Sequence, residues 1–305
     1  MLVWLPFDDA ERYLGQLPAE VELARWDGKD PLPDRADEVE VLVPPWWPKE
    51  AVVRALPQLP RLRLVQMLNA GVDWIADAVP DGVALCNTGD ANAVEVAEWA
   101  LAVTLSHLRE LPGFAAAQAD GVWRPRATPT LRRTEVVVVG AGAIGRALVR
   151  MLGACDARVT LVARTARDGV EPVERLPELV GRARVLVLAT ALTEGTRGLV
   201  DAALLARLPD GALVVNLARG PVVVTDDLVA ELRSGRLHAA LDVTDPEPLP
   251  EGHELWSVPN LVVTPHVGGA TENFLPNAFG LVGDQLRRLA AGEEPAFRLD
   301  PDQYT

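Results

Sequence analysis

A β-branched run that breaks into a glycine-rich turn constrains this chain more than any other feature. Residues 135–139 read EVVVV, residues 140–145 read GAGAIG, and an apolar helical pattern follows at once. Gly140 permits a tight turn after a strand, and Gly142 lets the backbone approach a ligand with no Cβ in the way. Gly145 lets the helix pack closely on the strand. This order of strand, turn and helix predicts a binding site for the pyrophosphate of a dinucleotide.

The start of the predicted helix supplies the groups that hold the anion. Its first residues, Ala143 and Ile144, present free backbone N–H groups and the partial positive charge of the helix dipole. The alternative interpretation is that the turn binds no ligand, because glycine-rich turns also recur by chance. The strand before the turn and the helix after it favour dinucleotide binding.

The next predicted strand, residues 158–163, is followed by a basic turn where an acid is usual. An acidic side chain about 20 residues beyond the glycines would bind the ribose 2′-hydroxyl and repel a 2′-phosphate. This chain has Arg164, Thr165 and Arg167 there, and two guanidinium groups with a hydroxyl suit a phosphate dianion. The basic turn predicts NADP(H) as the preferred cofactor, with NAD(H) possible. The alternative is a solvated turn whose charge Asp168 partly neutralises.

The composition fits a large enzyme and argues against several function classes. The 305 residues are 49% hydrophobic and carry a formal net charge of −14. This length suits two domains, and the charge argues against binding nucleic acid or an anionic membrane. No run approaches the roughly 18 apolar residues of a membrane span, and the start lacks a basic leader region, so we expect a cytoplasmic protein. The two cysteines form no metal-ligand cluster, and we expect no metal site.

Short β-rich runs alternate with helical patterns along the chain, which is typical of an α/β protein with parallel sheets. Strands are predicted at the start of the chain and at residues 39–43, 62–67, 83–87, 135–139, 159–163, 185–189, 212–216, 239–243 and 261–264. Residues 91–111 and 271–291 are predicted to form long helices. Residues 115–133, which contain glycine and two prolines, are predicted to form a loop-rich link, and a domain boundary is expected near residue 92.

Three polar residues each follow an apolar strand beyond the glycine turn, where open parallel sheets present ligand-binding groups. Arg219 suits a carboxylate or ketone oxygen, because a guanidinium donates two parallel hydrogen bonds. The imidazole of His266 suits proton donation near neutral pH, and Glu247 beside it would stabilise the imidazolium. The alternative interpretations are that Arg219 is an ordinary surface residue and that His266 has a structural role. The other histidines of the chain lack a comparable setting, which favours His266.

These motifs together resemble the D-2-hydroxyacid dehydrogenase family, from about Leu62 to the end of the chain. The glycine turn is similar to the family's cofactor signature, and residues 216–220 (NLARG) are similar to its arginine motif. Residues 241–248 (LDVTDPEP) resemble its glutamate motif, and residues 264–271 (TPHVGGAT) resemble its histidine motif.

The resemblance implies two α/β domains, each a doubly wound parallel sheet. A Rossmann-like cofactor domain at residues 93–273 is then inserted into a flavodoxin-like substrate domain formed by residues 1–92 and 274–305. It also implies a homodimer. The implied reaction is hydride transfer from NAD(P)H to a small 2-oxo acid, which yields a D-2-hydroxy acid.

The same resemblance assigns further roles to individual residues. The backbone amides of Ala70, Gly71 and Val72 are similar to those that hold the substrate carboxylate, together with Arg219. Asp242 corresponds to the residue that contacts the nicotinamide carboxamide. These roles are implied by the family and follow neither from spacing nor from composition.

Three details resemble the glyoxylate/hydroxypyruvate reductases within the family. They are a tryptophan near residues 44–48, the Arg164–Thr165 pair, and Leu217 with Ala218 beside the cofactor. Trp46 is therefore a candidate wall of the substrate pocket. Packing or a dimer contact is an equally good interpretation of Trp46 and its neighbour Trp47.

Two other classes of function compete with this interpretation. A cofactor-sensing scaffold or corepressor of the same fold could keep the glycine turn and the three polar residues, and turnover of a 2-oxo acid distinguishes it. Formate and phosphite oxidation on a related fold are less favoured. Formate relatives have Gln at the position of Glu247, and phosphite relatives carry a lysine in the loop occupied here by residues 69–73.

Overall fold

The structure is a computed structural model that describes residues 1–29 and 31–299, and it divides into two compact units. The first unit comprises Met1–Asn92 together with the chain from Glu272 onward, and the second comprises Ala93–Thr271. The second boundary thus falls two residues before the one expected from the sequence. Because the last long helix lies in the first unit, that unit is built from both ends of the chain.

The described residues contain mostly short strands and helices of mixed length. The strands are β1 (Leu2–Leu5), β2 (Glu22–Arg25), β3 (Val39–Leu42), β4 (Leu64–Gln66), β5 (Ala84–Cys86), β6 (Glu135–Val139), β7 (Arg158–Ala163), β8 (Val170–Pro172), β9 (Val185–Leu188), β10 (Leu213–Asn216), β11 (His238–Leu241) and β12 (Leu261–Val263). The helices are α1 (Lys49–Ala55), α2 (Ala93–Leu108), α3 (Leu111–Ala119), α4 (Ala143–Ala154), α5 (Leu176–Leu179), α6 (Ala202–Leu205), α7 (Thr225–Arg233) and α8 (Phe274–Ala290).

The first unit contains a parallel sheet with the strand order β2-β1-β3-β4-β5. This is the order of flavodoxin-like folds, as predicted. Alternate residues of the strands enter two cores, since side chains alternate across a sheet. Trp4 and Val65 pack with α1 on one face, and Val3 and Leu64 pack with α8 on the other.

The second unit contains a parallel sheet with the order β12-β11-β10-β9-β6-β7-β8. Counted from β6, this is the Rossmann order with one strand added, which confirms the predicted fold class. Val136 and Val138 of β6 face a core covered by α2 and α4. Val137 and Val139 face the other core, which contains residues of α5, α6 and α7.

Two strands and one helix differ from the sequence prediction. The strands β2 and β8 were missed because both lie at sheet edges, are partly exposed and lack an apolar run. The predicted helix 91–111 ends at Leu108, and Glu110 adopts a left-handed conformation before α3 begins. The loop predicted at residues 115–133 is observed at 120–133, but the prediction was wrong for 115–119 (AAAQA), where α3 continues through a sequence of high helix propensity.

Two histidines that looked unremarkable in the sequence meet at the amino end of the second sheet. The ring of His107, on α2, lies 4.5 Å from the ring of His238, at the start of β11. Burial, together with the charges of His238 and Arg184, lowers the pKa of His107 to about 4. Burial also lowers the pKa of His238. Both rings are therefore neutral near pH 7 and pack as apolar groups.

We expect this histidine pair to make the second unit sensitive to acid. The folded pKa of His107 lies below its unfolded value of about 6.5. Its contribution to stability is therefore complete above about pH 6.5 and is lost as the pH falls toward 4. After allowance for partial exposure, the loss is on the order of 1 kcal/mol, or about 2–4 °C in Tm. Thermal denaturation at pH 7 and pH 4.5 should show a smaller drop for His107→Gln than for wild type, and equal drops would contradict this.

Candidate active site

The glycine turn has the conformation that its sequence predicts. Gly140 has a φ of +117°, and a Cβ there would overlap the carbonyl oxygen of Ala189. A Cβ at Gly145 would overlap the carbonyl oxygen of Gly140. Gly142 differs, because a Cβ there would meet no protein atom within 4 Å. The fold thus needs two of the three glycines, and the space in front of Gly142 fits the predicted pyrophosphate beside the first turn of α4.

This difference gives a paired test of dinucleotide binding. Gly145→Ala should destabilise the protein by roughly 2 kcal/mol or more, because the new methyl group overlaps the backbone. Gly142→Ala should change stability by at most about 1 kcal/mol, yet weaken dinucleotide binding by about tenfold, or roughly 1.4 kcal/mol. Thermal denaturation and calorimetric titration of the cofactor measure the two effects. Unchanged binding by Gly142→Ala would show that the turn does not hold the pyrophosphate.

The basic turn begins directly after β7, at the carboxyl end of that strand. Arg164 and Thr165 are exposed there. The backbones of Arg167 and Val170 are joined by two hydrogen bonds, 3.2 and 2.8 Å long, so the chain reverses direction between them. The guanidinium of Arg167 donates to the carbonyl oxygen of Ala141, at 3.3 Å. The structure therefore brings Arg167 to the glycine turn and leaves Arg164 and Thr165 open to solvent.

One row of paired residues crosses the second sheet at its carboxyl edge. In order, the row runs Val162, Val139, Leu188, Asn216, Leu241 and Val263. The glycine turn, the basic turn and the three predicted polar residues all follow this row along their own strands. Parallel strands present such residues at one edge of a sheet. The cofactor and catalytic candidates of the second unit therefore share this edge.

Arg219 leaves β10 in a turn that a buried side chain shapes. Asn216 accepts a hydrogen bond from the backbone N–H of Ala218 at 3.1 Å, and it donates to the carbonyl oxygen of Arg219 at 3.0 Å. A Cβ at Gly220 would overlap the carbonyl oxygen of Thr244, so the arginine turn packs on the glutamate loop. No role was predicted for Asn216 from the sequence. The structure identifies it as a positioning residue for Arg219.

His266 and Glu247 form a direct hydrogen bond. The Nδ1 atom of His266 lies 2.6 Å from Oε1 of Glu247. Both side chains are partly open to solvent, with exposed fractions of 43% and 33%. Because Glu247 occupies Nδ1, Nε2 is the ring nitrogen left for proton transfer. The pair that the sequence predicts is therefore formed within the second unit.

The loop that carries His266 is held by a buried carboxylate. Asp242 is 4% exposed, and it accepts hydrogen bonds from Oγ1 of Thr264 at 2.6 Å and from the backbone N–H groups of Val267 and Gly268, both at 2.8 Å. No sequence signal indicated this positioning role. A carboxylate offers about four acceptor sites, so one more donor fits. Contact between Asp242 and a nicotinamide amide stays a prediction.

Leu217 and Ala218, the two apolar residues predicted beside the cofactor, are buried. They belong to the cores on opposite faces of the second sheet. Both follow β10 at its carboxyl end, which is the edge that carries the glycine turn. Their contact with the cofactor stays a prediction.

The predicted carboxylate loop lies in the first unit. Val72 is fully buried, and the carbonyl oxygen of Ala70 accepts a hydrogen bond from the side-chain amide of Asn87 at 2.9 Å. Within residues 1–29 and 31–299, the backbone N–H groups of Ala70, Gly71 and Val72 donate to no protein acceptor. Ala70 is exposed and Gly71 partly exposed, so their N–H groups suit an anion, whereas Val72 is buried. Their assignment to the substrate carboxylate stays a prediction.

Trp46 takes part in aromatic packing within the first unit. Its ring lies 5.3 Å from the rings of both Phe7 and Phe274. The adjacent Trp47 is largely exposed, with the ammonium of Lys49 4.6 Å from its ring. The packing interpretation thus has direct support for Trp46. Its role as a substrate wall stays a prediction.

Two further findings concern the described part of the chain. It contains no group of three or more His, Cys, Asp or Glu side chains that is arranged to hold a metal ion. None of the helices found there combines the length and apolar character needed to cross a membrane.

Comparison with known proteins agrees with this fold. A model of the family described as "D-isomer specific 2-hydroxyacid dehydrogenase, NAD binding domain" matches residues 101–268. The chain is 30% identical over 315 aligned positions to a glyoxylate/hydroxypyruvate reductase A of Serratia proteamaculans, with 98% of both chains covered. These similarities define the class of the protein as an oxidoreductase.

Two solved structures are similar over essentially the full chain. A D-isomer specific 2-hydroxyacid dehydrogenase from Xanthobacter autotrophicus, in complex with NADPH and MES, has a TM-score of 0.86 and 31% identity, and the match covers 100% of this chain and 99% of that one. An NADPH-dependent glyoxylate/hydroxypyruvate reductase from Sinorhizobium meliloti, in complex with NADP and sulfate, has a TM-score of 0.85, 27% identity and the same coverage. The chain belongs to the D-isomer specific 2-hydroxyacid dehydrogenase family.

Proposed function

We propose that this enzyme reduces a small 2-oxo acid of the glyoxylate or hydroxypyruvate class to the 2-hydroxy acid and prefers NADPH. The observation that carries the proposal is the shared carboxyl edge of the second sheet, where the glycine turn and the His266–Glu247 pair follow one row of residues. The reductase names of its relatives from Serratia and Sinorhizobium support the substrate class.

The side chains at this edge suit the chemistry of carbonyl reduction. A bound nicotinamide dinucleotide supplies the hydride. Arg219 binds the substrate through its guanidinium and stabilises the negative charge that develops on the carbonyl oxygen. His266 donates a proton to that oxygen from Nε2, and Glu247 holds the ring and stabilises its charged form through Nδ1.

Steady-state assays with a panel of 2-oxo acids test the substrate class. NADPH consumption is followed by absorbance with glyoxylate, hydroxypyruvate, pyruvate, 2-oxoglutarate and phenylpyruvate. We expect the highest kcat/KM with glyoxylate or hydroxypyruvate. The variant His266→Asn, purified in the same way, controls for contaminating reductases. Absence of turnover with every acid would overturn the proposal, and preference for a bulky acid would overturn its substrate class.

The cofactor preference is supported by the basic turn. Arg164 and Thr165 are exposed at the carboxyl end of β7, where a 2′-phosphate is recognised in this fold. Arg167 reaches the glycine turn. The similar structures from Xanthobacter and Sinorhizobium contain NADPH and NADP, respectively.

We expect Arg164→Asp to reverse the preference for NADPH over NADH. A charge-assisted pair contributes about 1.5–3 kcal/mol, so wild type should favour NADPH by roughly tenfold or more in kcat/KM. The aspartate should favour NADH, because it repels the 2′-phosphate and accepts a hydrogen bond from the 2′-hydroxyl. Arg207→Asp, which makes the same charge change at an exposed position of the second unit, should keep the wild-type ratio. A wild type that uses NADH as well as NADPH would contradict this preference.

We further propose that the enzyme is a homodimer through α3 and the segment after it. None of the side chains of α3 is buried, and Trp123 is 93% exposed. Of the four arginines in residues 124–133, Arg126 and Arg132 pair with Glu110 and Asp156, and the other two are left to attract a second copy of this chain, whose net charge is −14. Sedimentation velocity should show a dimer that Trp123→Ser weakens and Trp256→Ser, at another exposed tryptophan, preserves. A monomeric wild type or an unaffected Trp123→Ser dimer would overturn this interface.

A further inference from the structure

Two arginines from different elements meet at one oxygen atom inside the glycine turn. Arg146 lies in the first turn of α4, and its Nη1 atom donates to the carbonyl oxygen of Ala141 at 2.9 Å. Arg167 comes from the basic turn after β7, and its Nη2 atom donates to the same oxygen at 3.3 Å. Both side chains are otherwise exposed. The glycine turn is thus flanked by a pair of guanidinium groups.

Asp168 follows Arg167 in the chain, but neither guanidinium of this pair is bound by a carboxylate among the described residues. Across the ranges 1–29 and 31–299, neither Arg146 nor Arg167 forms an ion pair with a carboxylate. The chain is rich in acids, with 43 Asp and Glu against 29 Lys and Arg, and Arg175 binds both Glu171 and Glu178. Two like charges that share one neutral carbonyl repel each other. Their arrangement favours an anion that would neutralise both.

Each guanidinium keeps donors for such an anion. A guanidinium has five N–H groups, and the bond to Ala141 uses one from each side chain. A Cβ at Gly140 or Gly145 would overlap backbone atoms, so the turn requires glycine at both positions whether or not the arginines bind Ala141. The remaining donors suit the geometry of phosphate oxygens.

The position of the pair distinguishes between the phosphates of a dinucleotide. The pyrophosphate is held by the N–H groups at the start of α4. Arg167 instead belongs to the turn after β7, where this fold recognises the 2′ position of the adenosine ribose. Because Arg146 shares an acceptor with Arg167, it lies on that side of the glycine turn.

We infer that Arg146 and Arg167 form a clamp for the 2′-phosphate of the cofactor, and that Arg146 is a determinant of cofactor specificity. This inference rests on the proposed preference for NADPH. Arg146 was not among the residues predicted from the sequence. Its side chain extends the basic turn, residues 164–167, by a cation from α4.

Binding of two adenosine nucleotides tests the clamp without any turnover. Adenosine 2′,5′-bisphosphate and 5′-AMP are titrated into the enzyme by calorimetry, and their dissociation constants are compared. Wild type should bind the bisphosphate at least tenfold more tightly than 5′-AMP. Arg146→Ala and Arg167→Ala should each weaken bisphosphate binding about tenfold and change 5′-AMP binding less than twofold. Arg150→Ala, an exposed arginine one turn further along α4, should match wild type.

The outcomes separate this inference from the proposed function. If wild type favours the bisphosphate and Arg146→Ala keeps that ratio, the clamp is overturned and the cofactor preference stands. If wild type binds both nucleotides equally, the cofactor preference itself fails, and the clamp fails with it. Equal weakening of both nucleotides in Arg146→Ala would place Arg146 at the 5′-phosphate and overturn the inference. Arg146→Gln, with a Tm measured for each variant, separates a loss of binding from a loss of folding.

Discussion

Replacement of His266 by asparagine should lower kcat for reduction of the 2-oxo acid by at least about 100-fold, with KM changed little. The asparagine side chain can keep a hydrogen bond to Glu247, but it cannot deliver a proton. General acid catalysis accelerates a reaction by roughly 10²–10⁴-fold. Because the proton is delivered in the transition state, kcat should fall while substrate binding is maintained.

A variant of the neighbouring Glu247 serves as the control for this prediction. Glu247→Gln keeps a polar side chain of the same shape beside Nδ1 of His266 but removes its charge. Its kcat should fall less than that of His266→Asn, since the proton donor is still present. A His266→Asn enzyme that retains more than about a tenth of the wild-type kcat would exclude His266 as the general acid.

Replacement of Arg219 by alanine should damage both kcat and KM. Loss of a preorganised donor at a developing oxyanion costs roughly 10²–10³-fold in kcat. Loss of a charge-assisted hydrogen bond to the substrate, which contributes about 1.5–3 kcal/mol, should raise KM by roughly tenfold or more. Steady-state kinetics over a wide substrate range separates the two effects.

Arg219→Lys tests whether activity depends on the two parallel N–H donors of the guanidinium as well as on its charge. Lysine restores a positive charge but not two parallel hydrogen bonds, so it should recover only part of the activity. Asn216 and Gly220 remain in place in both variants, so the turn around residue 219 keeps its supports. An Arg219→Ala enzyme with a wild-type KM would show that Arg219 does not bind the substrate.

The parts of this protein that could be predicted from sequence are those with short-range signals. The glycine turn follows a five-residue strand directly, and its backbone leaves no room for a Cβ at Gly140 or Gly145. The buried strands of both sheets are apolar runs between turns, so their alternation with helices revealed the α/β class. Arg219, Glu247 and His266 could be found because each follows such a strand.

Edge elements escaped prediction because their signals are weak. Neither β2 nor β8 is buried on both faces, and each is short. Each pairs with one neighbouring strand only, since β2 adds to β1 and β8 adds to β7 at the edges of their sheets. The helix α3 also escaped prediction. It has a proline in its first turn, and proline usually signals a helix end although it is tolerated at that position.

Contacts between segments that are distant along the chain could also not be predicted from the sequence. His107 and His238 come from α2 and β11, and only the folded sheet brings their rings together. The three hydrogen bonds that Asp242 accepts from the histidine loop depend on the pairing of β11 with β12. Arg146 carries no signal of its own in the sequence, because an arginine on a helix is usually a solvated residue.

The proposed reaction is hydride transfer from NADPH to a 2-oxo acid, with protonation of the carbonyl oxygen by His266. Chiral analysis of the product formed from hydroxypyruvate and NADPH tests it most directly, with His266→Asn as the parallel sample. We predict stoichiometric formation of D-glycerate by wild type and at least about 100-fold slower formation by the variant. L-glycerate as the product, no consumption of NADPH, or equal rates for the two proteins would contradict the account.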